Sequence, residues 1–172
     1  MTAVPQAERP ATHLAARAAG RADADPHDTD SAPTPTTKST MDRDSRALET
    51  ALAVYVRQVA GQLGVPADAV TYEVTDTATA YIGLTDRAAA LPRRDLMLVW
   101  DESLGWYVAV EPRGNDRPPV ICHLGGEIAP APALVARFVS DVVDGHSRGR
   151  LNPVSPKIDR GTLAVDMAKS PA

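Results

Sequence analysis

Leu48, Leu52, Tyr55, Val59 and Leu63 recur at steps of four, three, four and four, with polar and charged residues between them. That spacing is the apolar stripe of an amphipathic helix and predicts one from Asp44 to Leu63. Asp44 or Ser45 is placed to cap its start, Glu49 suits its early turns, and Gly64 before Val65-Pro66 ends it. The period then falls to two. Val70, Tyr72 and Val74 alternate with Thr71, Glu73 and Thr75, and Ala80, Ile82 and Leu84 alternate with Thr79, Tyr81 and Gly83, which predicts two strands. LMLVWDESLGWYVAVE, residues 96–111, predicts a hairpin, and VICHL, residues 120–124, a fifth strand. A second helix is expected from about Ala131 to Asp144, with Pro132 in its first turn, Gly145 at its end, and Leu134, Val135, Phe138, Val139 and Val142 as its apolar face.

The order is helix, five strands, helix, and the strand connections are too short for parallel crossovers. The expected fold is therefore α+β: a five-stranded, mostly antiparallel sheet with the N-terminal and C-terminal helices packed on one face.

Loop parity in the hairpin decides which side chains share a face. With Ser103-Leu104-Gly105 as a three-residue loop and Gly105 in the left-handed region, Glu102 lies opposite Trp106, Trp100 opposite Val108 and Leu98 opposite Val110. One face then gathers Leu96, Leu98, Trp100, Trp106, Val108 and Val110, all apolar, whereas a one-residue slip mixes Asp101 or Glu111 into each face. Both tryptophans are expected on the inner face, Trp106 only partly covered because it adjoins the turn. Val70, Tyr72, Val74, Ala80, Ile82, Leu84, Val120, Cys122 and Leu124 extend that face.

The opposite face mixes Thr71, Glu73, Thr79, Asp101 and Glu111 with several apolar side chains. Tyr81, Met97, Val99, Tyr107, Ile121 and His123 are its candidate contact residues for a protein partner or a second copy of the chain. Exposed apolar area of this kind is what a partner would cover.

Composition sharpens the boundaries. Every Trp, Tyr and Phe lies between residues 45 and 146. Aromatic side chains bring the largest buried areas, so segments without them offset their ordering entropy poorly. The sequence thus divides into a disordered extension (1–43), one folded domain (44–146) and a flexible, mildly basic tail (147–172). The stretch ADADPHDTDSAPTPTTKST has linker composition. Met41 directly precedes the patterned segment, and translation starting there is an expectation of this division. In the tail, GTLAVDMAKS can dock as a short element through Leu163, Val165 and Met167, although fraying is expected of a terminus.

Charge removes several function classes. Residues 45–146 carry 8 basic and 13 acidic side chains, with no basic stripe, which argues against nucleic acid as a partner. Arg148, Arg150, Lys157 and Arg160 read as solvated tail charges. Nothing approaches the apolar length of a membrane span, no signal-peptide pattern is visible, and a single cysteine suits a reducing compartment, so the expected location is the cytoplasm.

Candidate chemistry is sparse. Cys122 and His123 are adjacent in a strand and point to opposite faces, so they cannot act as a thiol and its base. Asp101 and Glu102 are accounted for by turn chemistry. Gly125-Gly126 precedes a helix but lacks the third glycine and the lysine of phosphate-binding loops, and Glu127 would oppose an anion there. No metal-ligand spacing and no cofactor fingerprint is present, so no enzyme activity is expected.

LMLVWDESLGWYVAVE, together with LGG (residues 124–126) and PALVARFV (residues 132–139), resembles an uncharacterised actinobacterial family, domain of unknown function 6292, over roughly residues 46–143. The abundance of Arg and Ala agrees with a high-GC actinobacterial source. The resemblance implies domain boundaries and assigns no catalytic or binding residue. The function expected is a small cytoplasmic protein-interaction module whose outer sheet face can pair with itself to form a homodimer. The alternatives are a small-molecule sensor with a pocket near Tyr55, Tyr72, Trp100 and Phe138, and an enzyme of unrecognised type.

Overall fold

The computed structural model describes residues 35–114, 117–146, 149–153 and 157–170. Helix α1 (Pro35–Leu63) is followed by strands β1 (Val70–Val74), β2 (Ala78–Gly83), β3 (Leu96–Asp101), β4 (Gly105–Val110) and β5 (Val120–His123), then α2 (Pro132–Val143) and α3 (Arg160–Lys169). The five strands pair in chain order, each antiparallel to its neighbour. This is the expected α+β meander. One buried cluster joins Leu48, Leu52, Tyr55, Val56 and Val59 of α1 and Val135, Phe138, Val139 and Val142 of α2 to the inner face of the sheet.

Two boundaries differ from the sequence reading. Helix α1 begins at Pro35, so Asp44 and Ser45 lie inside it and do not cap it. Proline suits a first helical turn, where its missing N–H costs no bond. Residues 35–43 are therefore helical, with Met41 inside α1; the rest of the expected disordered extension, residues 1–34, lies outside the described residues. Nor is the whole of 147–172 a flexible tail. Asp159 caps α3, its Oδ1 accepting from Thr162 N at 2.9 Å, and Leu163, Ala164 and Met167 are buried. The docking residues follow helical spacing, not the alternate spacing that included Val165, which is 51% exposed.

In the hairpin, Trp100 pairs with Trp106, Leu98 with Val108 and Leu96 with Val110. The expected register is out by two residues, which preserves every face while changing every partner. Asp101 sets the difference: its Oδ1 accepts from Ser103 N (2.7 Å) and Leu104 N (3.1 Å), so the turn is Glu102-Ser103-Leu104. Gly105 then pairs with Asp101 at a φ of 68°, the left-handed conformation that favours glycine.

Trp106 is only 1% exposed, a correction to the expectation of partial cover. The segment 127–130 passes close beneath the turn: a Cβ on Gly105 would sit 3.6 Å from Ile128 Cα. Trp100 Nε1 donates to Ile128 O (2.8 Å), Trp106 Nε1 to Tyr55 Oη (2.9 Å), and Tyr55 Oη to Pro130 O (2.7 Å). Three large aromatics thus bury their apolar bodies while every polar tip is matched. Burial also raises the Tyr55 phenol well above its ordinary pKa, so it stays protonated as the donor to Pro130.

A bulge falls between Val108 and Ala109. Val108 pairs with Cys122 but Ala109 with Val120, leaving Ile121 as the extra residue. Val120 consequently shares the outer face with Ala109 and is 47% exposed, whereas Ile121 packs against the main core. Both placements reverse the sequence reading, which assumed unbroken alternation.

Trp100→Ala is expected to lower stability by ~3–5 kcal/mol. Tyr55→Phe, which removes one hydroxyl and strands the Trp106 donor and the Pro130 acceptor, should cost ~1–3 kcal/mol. Urea unfolding followed by circular dichroism reads both as shifts in midpoint at constant slope.

Candidate interaction surface

The ladder pairs place one row of outer-face residues across the sheet. Thr71 lies beside Tyr81, Tyr81 beside Val99, Val99 beside Tyr107, and Tyr107 beside His123. Arg150 continues the row, its backbone exchanging two 2.8 Å hydrogen bonds with His123. To one side run Glu73, Thr79 and Asp101; to the other, Met97, Ala109 and Val120.

Met97, Val99 and Ala109 form a second buried cluster with Tyr107 packed against it, and no helical residue belongs to it. Of the six residues expected at this face, Tyr81 is exposed (39%), Tyr107 is half-buried, and Met97, Val99 and His123 are largely closed to solvent. Ile121 has left it through the bulge. The central strands therefore supply a closed apolar floor, with the tyrosines as its accessible part.

The Tyr107 and His123 rings lie 5.1 Å apart with their planes tilted by 48°. Burial raises the Tyr107 phenol, with the charges of Asp101 and Tyr81 acting in the same direction. Two buried polar atoms of this face, Thr79 Oγ1 and His123 Nδ1, have no hydrogen-bond partner among the described residues. Such atoms are uncommon in native structures, and each calls for an explanation.

The other candidates separate. Tyr55 and Trp100 are closed within the core, while Tyr72, on edge strand β1, is 36% exposed, so the residues named for a ligand pocket do not share one environment. A groove of about 610 Å³ lies instead between Gly126–Ala129 and α3, with Leu163, Asp166 and Lys169 on its far wall. Cys122 joins the main core and His123 the outer face, as strand alternation requires. At Gly125 the Arg150 side chain crosses so closely that a Cβ would fall 2.9 Å from its Cδ.

Sequence reasoning missed Arg160. Its guanidinium grips both Glu102 carboxylate oxygens (2.9 and 3.0 Å) and donates to Ser45 Oγ (3.0 Å), Thr75 O (2.9 Å) and Asp76 O (3.0 Å). The residue read as a solvated tail charge joins α1, both turns at one end of the sheet, and α3. Only the tertiary fold brings these partners together; Glu102 and Arg160 are 58 residues apart in sequence. Among the described residues no group of acidic, His or Cys side chains is placed to hold a metal ion, and no helix is long and apolar enough to cross a membrane.

Burial lowers the His123 pKa below its ordinary 6.5. The unfolded chain thus takes up a proton near pH 6.5 while the folded chain resists it, so this contribution to stability is full above that pH and declines as pH falls below it. His123→Phe is expected to narrow the difference in Tm between pH 7.5 and about 5.5, measured by differential scanning fluorimetry, relative to the unaltered chain.

No curated protein and no solved structure matches the chain. A family model described as a family of unknown function, DUF6292, matches residues 55–141, from Tyr55 in the last turns of α1 through the sheet and nearly all of α2. The matched span covers half of the chain and holds the aromatic clasp and the whole outer row up to His123, and the protein belongs to this family.

Proposed function

We propose that this domain is a protein-interaction module that binds rather than catalyses, and that its outer sheet face pairs with the same face of a second copy. The observation that carries the reading is the order Tyr81, Val99, Tyr107 across β2, β3 and β4. It is symmetric about the central strand. A two-fold axis above Val99, parallel to the strands, sets each Tyr81 against the partner's Tyr107 over the closed apolar floor, the self-complementarity that an isologous interface requires. The same operation brings Thr71 of one copy towards the His123 end of the row in the other.

Tyrosine suits such a role, since it offers a large rigid apolar surface with a polar tip. A catalytic reading finds less support. Asp101 is engaged by its own turn and Glu102 by Arg160, which leaves neither carboxylate poised as a general acid or base. Within such a pair of carboxylates, roles are set by differing environments, and these two are already committed.

Sedimentation equilibrium of the full chain over a range of concentrations is expected to show reversible dimerisation. Tyr107→Asp, which puts a charge into the centre of the contact, should weaken it at least ~10-fold, equivalent to ~1.4 kcal/mol, while leaving the circular dichroism spectrum unchanged. A chain that stays monomeric throughout the range contradicts the reading.

A further inference from the structure

The two edges of the sheet are finished differently. At β5, His123 exchanges both backbone bonds with Arg150 at 2.8 Å, Pro118 and Pro119 precede the strand, and the bulge at Ile121 breaks its ladder. Features of this kind keep a further strand from pairing. Strand β1 has none of them: VTYEV is β-branched and aromatic, without proline or lysine, and runs in unbroken register with β2.

Ladder parity identifies the backbone groups that β1 leaves unpaired. Leu84 N donates to Leu96 O and Glu102 N to Ala78 O, each at 3.0 Å, so the even-numbered residues of β2 turn their backbone bonds towards β3. Thr79 and Tyr81 therefore bond Glu73 and Thr71, and the backbone groups of Val70, Tyr72 and Val74 point away from the sheet. Val70 N is taken by Ala67 O. Val70 O, Tyr72 N and O, and Val74 N remain as a row along the edge, bonded by no other backbone group among the described residues. Thr71, Tyr72 and Glu73 are all exposed.

Charge selects what can add there. Residues 67–77, which hold β1 and both its flanks, carry Asp68, Glu73 and Asp76 and no basic side chain. Arg160 reaches the Thr75 and Asp76 carbonyls, but its charge is matched by Glu102. A second copy brought edge to edge would set its own three carboxylates beside these, whereas a basic strand would neutralise them.

We propose that the β1 edge is a strand-addition site for an extended, basic segment of another protein. The segment lies antiparallel outside β1, donating to Tyr72 O and accepting from Tyr72 N. Its apolar side chains stand beside Val70, Tyr72 and Val74 on the inner side, and a Lys or Arg stands beside Glu73 on the outer. Backbone bonds supply the affinity and the alternate side chains the selectivity. This contact uses the rim of the sheet and is independent of pairing through the outer face.

The probe is a fluorescein-labelled heptapeptide, KVKVKVK, titrated with the full chain and read by fluorescence anisotropy. It should bind, Tyr72→Val should leave the affinity within about twofold, and Tyr72→Pro should weaken it at least ~10-fold, because proline deletes the outward N–H without disturbing the β2 ladder. N-methylation of the valine amides, which face the chain, should abolish binding, and N-methylation of the lysine amides should preserve it. That comparison uses the unaltered chain and so does not depend on the fold of a variant. Glu73→Lys should weaken binding, and EVEVEVE should not bind. No binding of KVKVKVK, equal binding by the Tyr72→Pro and Tyr72→Val chains, or equal effects of the two methylations would each overturn the proposal. Self-association abolished by Tyr72→Pro, without peptide binding, would overturn it in favour of a second copy at this edge.

Discussion

Two indole N–H groups and one phenol sit where the sheet, α1 and the segment leading into α2 meet. Trp100 and Trp106 are paired across the central hairpin, and each hands its single donor away from the sheet, one to Ile128 O directly and one to Pro130 O through the Tyr55 hydroxyl. The carbonyls of a segment that crosses the core must be satisfied somewhere, because a buried unpaired acceptor costs ~1–3 kcal/mol. Here the largest apolar side chains of the fold supply the partners. That arrangement fixes where α2 starts, closes the turn end of the hairpin over Ile128, and ties α1 to both. The aromatic cluster is therefore scaffold, and the row of Tyr81, Val99 and Tyr107 lies on the other side of the same strands.

That division follows from strand geometry. Trp100 and Trp106 of β3 and β4 are committed to the core, so their neighbours Met97, Val99, Tyr107 and Ala109 face the other side of the sheet, in a cluster to which no described helix contributes. A rigid inner layer holds the outer row in register, which is what a contact surface needs if it is to bind without first being ordered. Helix α3 packs against α1 through three buried side chains and is tied to the turn end of the sheet by Arg160.

Much of this was legible in the sequence. The stripe from Leu48 to Leu63, the alternation in the strands and the hairpin parity place both tryptophans on one face correctly, because hydrophobic period and face are properties of local sequence. What escaped depends on contacts between distant segments. The register shift of two arises from the Asp101 carboxylate closing its own turn, and the loss of Ile121 from the outer face arises from a bulge that no period reveals. The docking of the α3 segment through Leu163 and Met167 was legible, but its helical form and its latch were not, because its stripe is short and its principal anchor is a charged residue whose acceptors come from three other parts of the chain. The full burial of Trp106 depended likewise on a segment, 127–130, whose sequence shows only a glutamate, apolar residues and proline.

The central claim is that the tryptophans are locked structural donors with no part in binding. Exchange of the two indole Nε1 protons, followed by two-dimensional nitrogen–proton NMR in heavy water, tests it most directly. The account predicts that both resonances persist as long as the most protected backbone amides of β3 and β4, since only global unfolding opens the clasp. Rapid loss of either indole signal under native conditions would contradict it, and would return that tryptophan to the accessible surface.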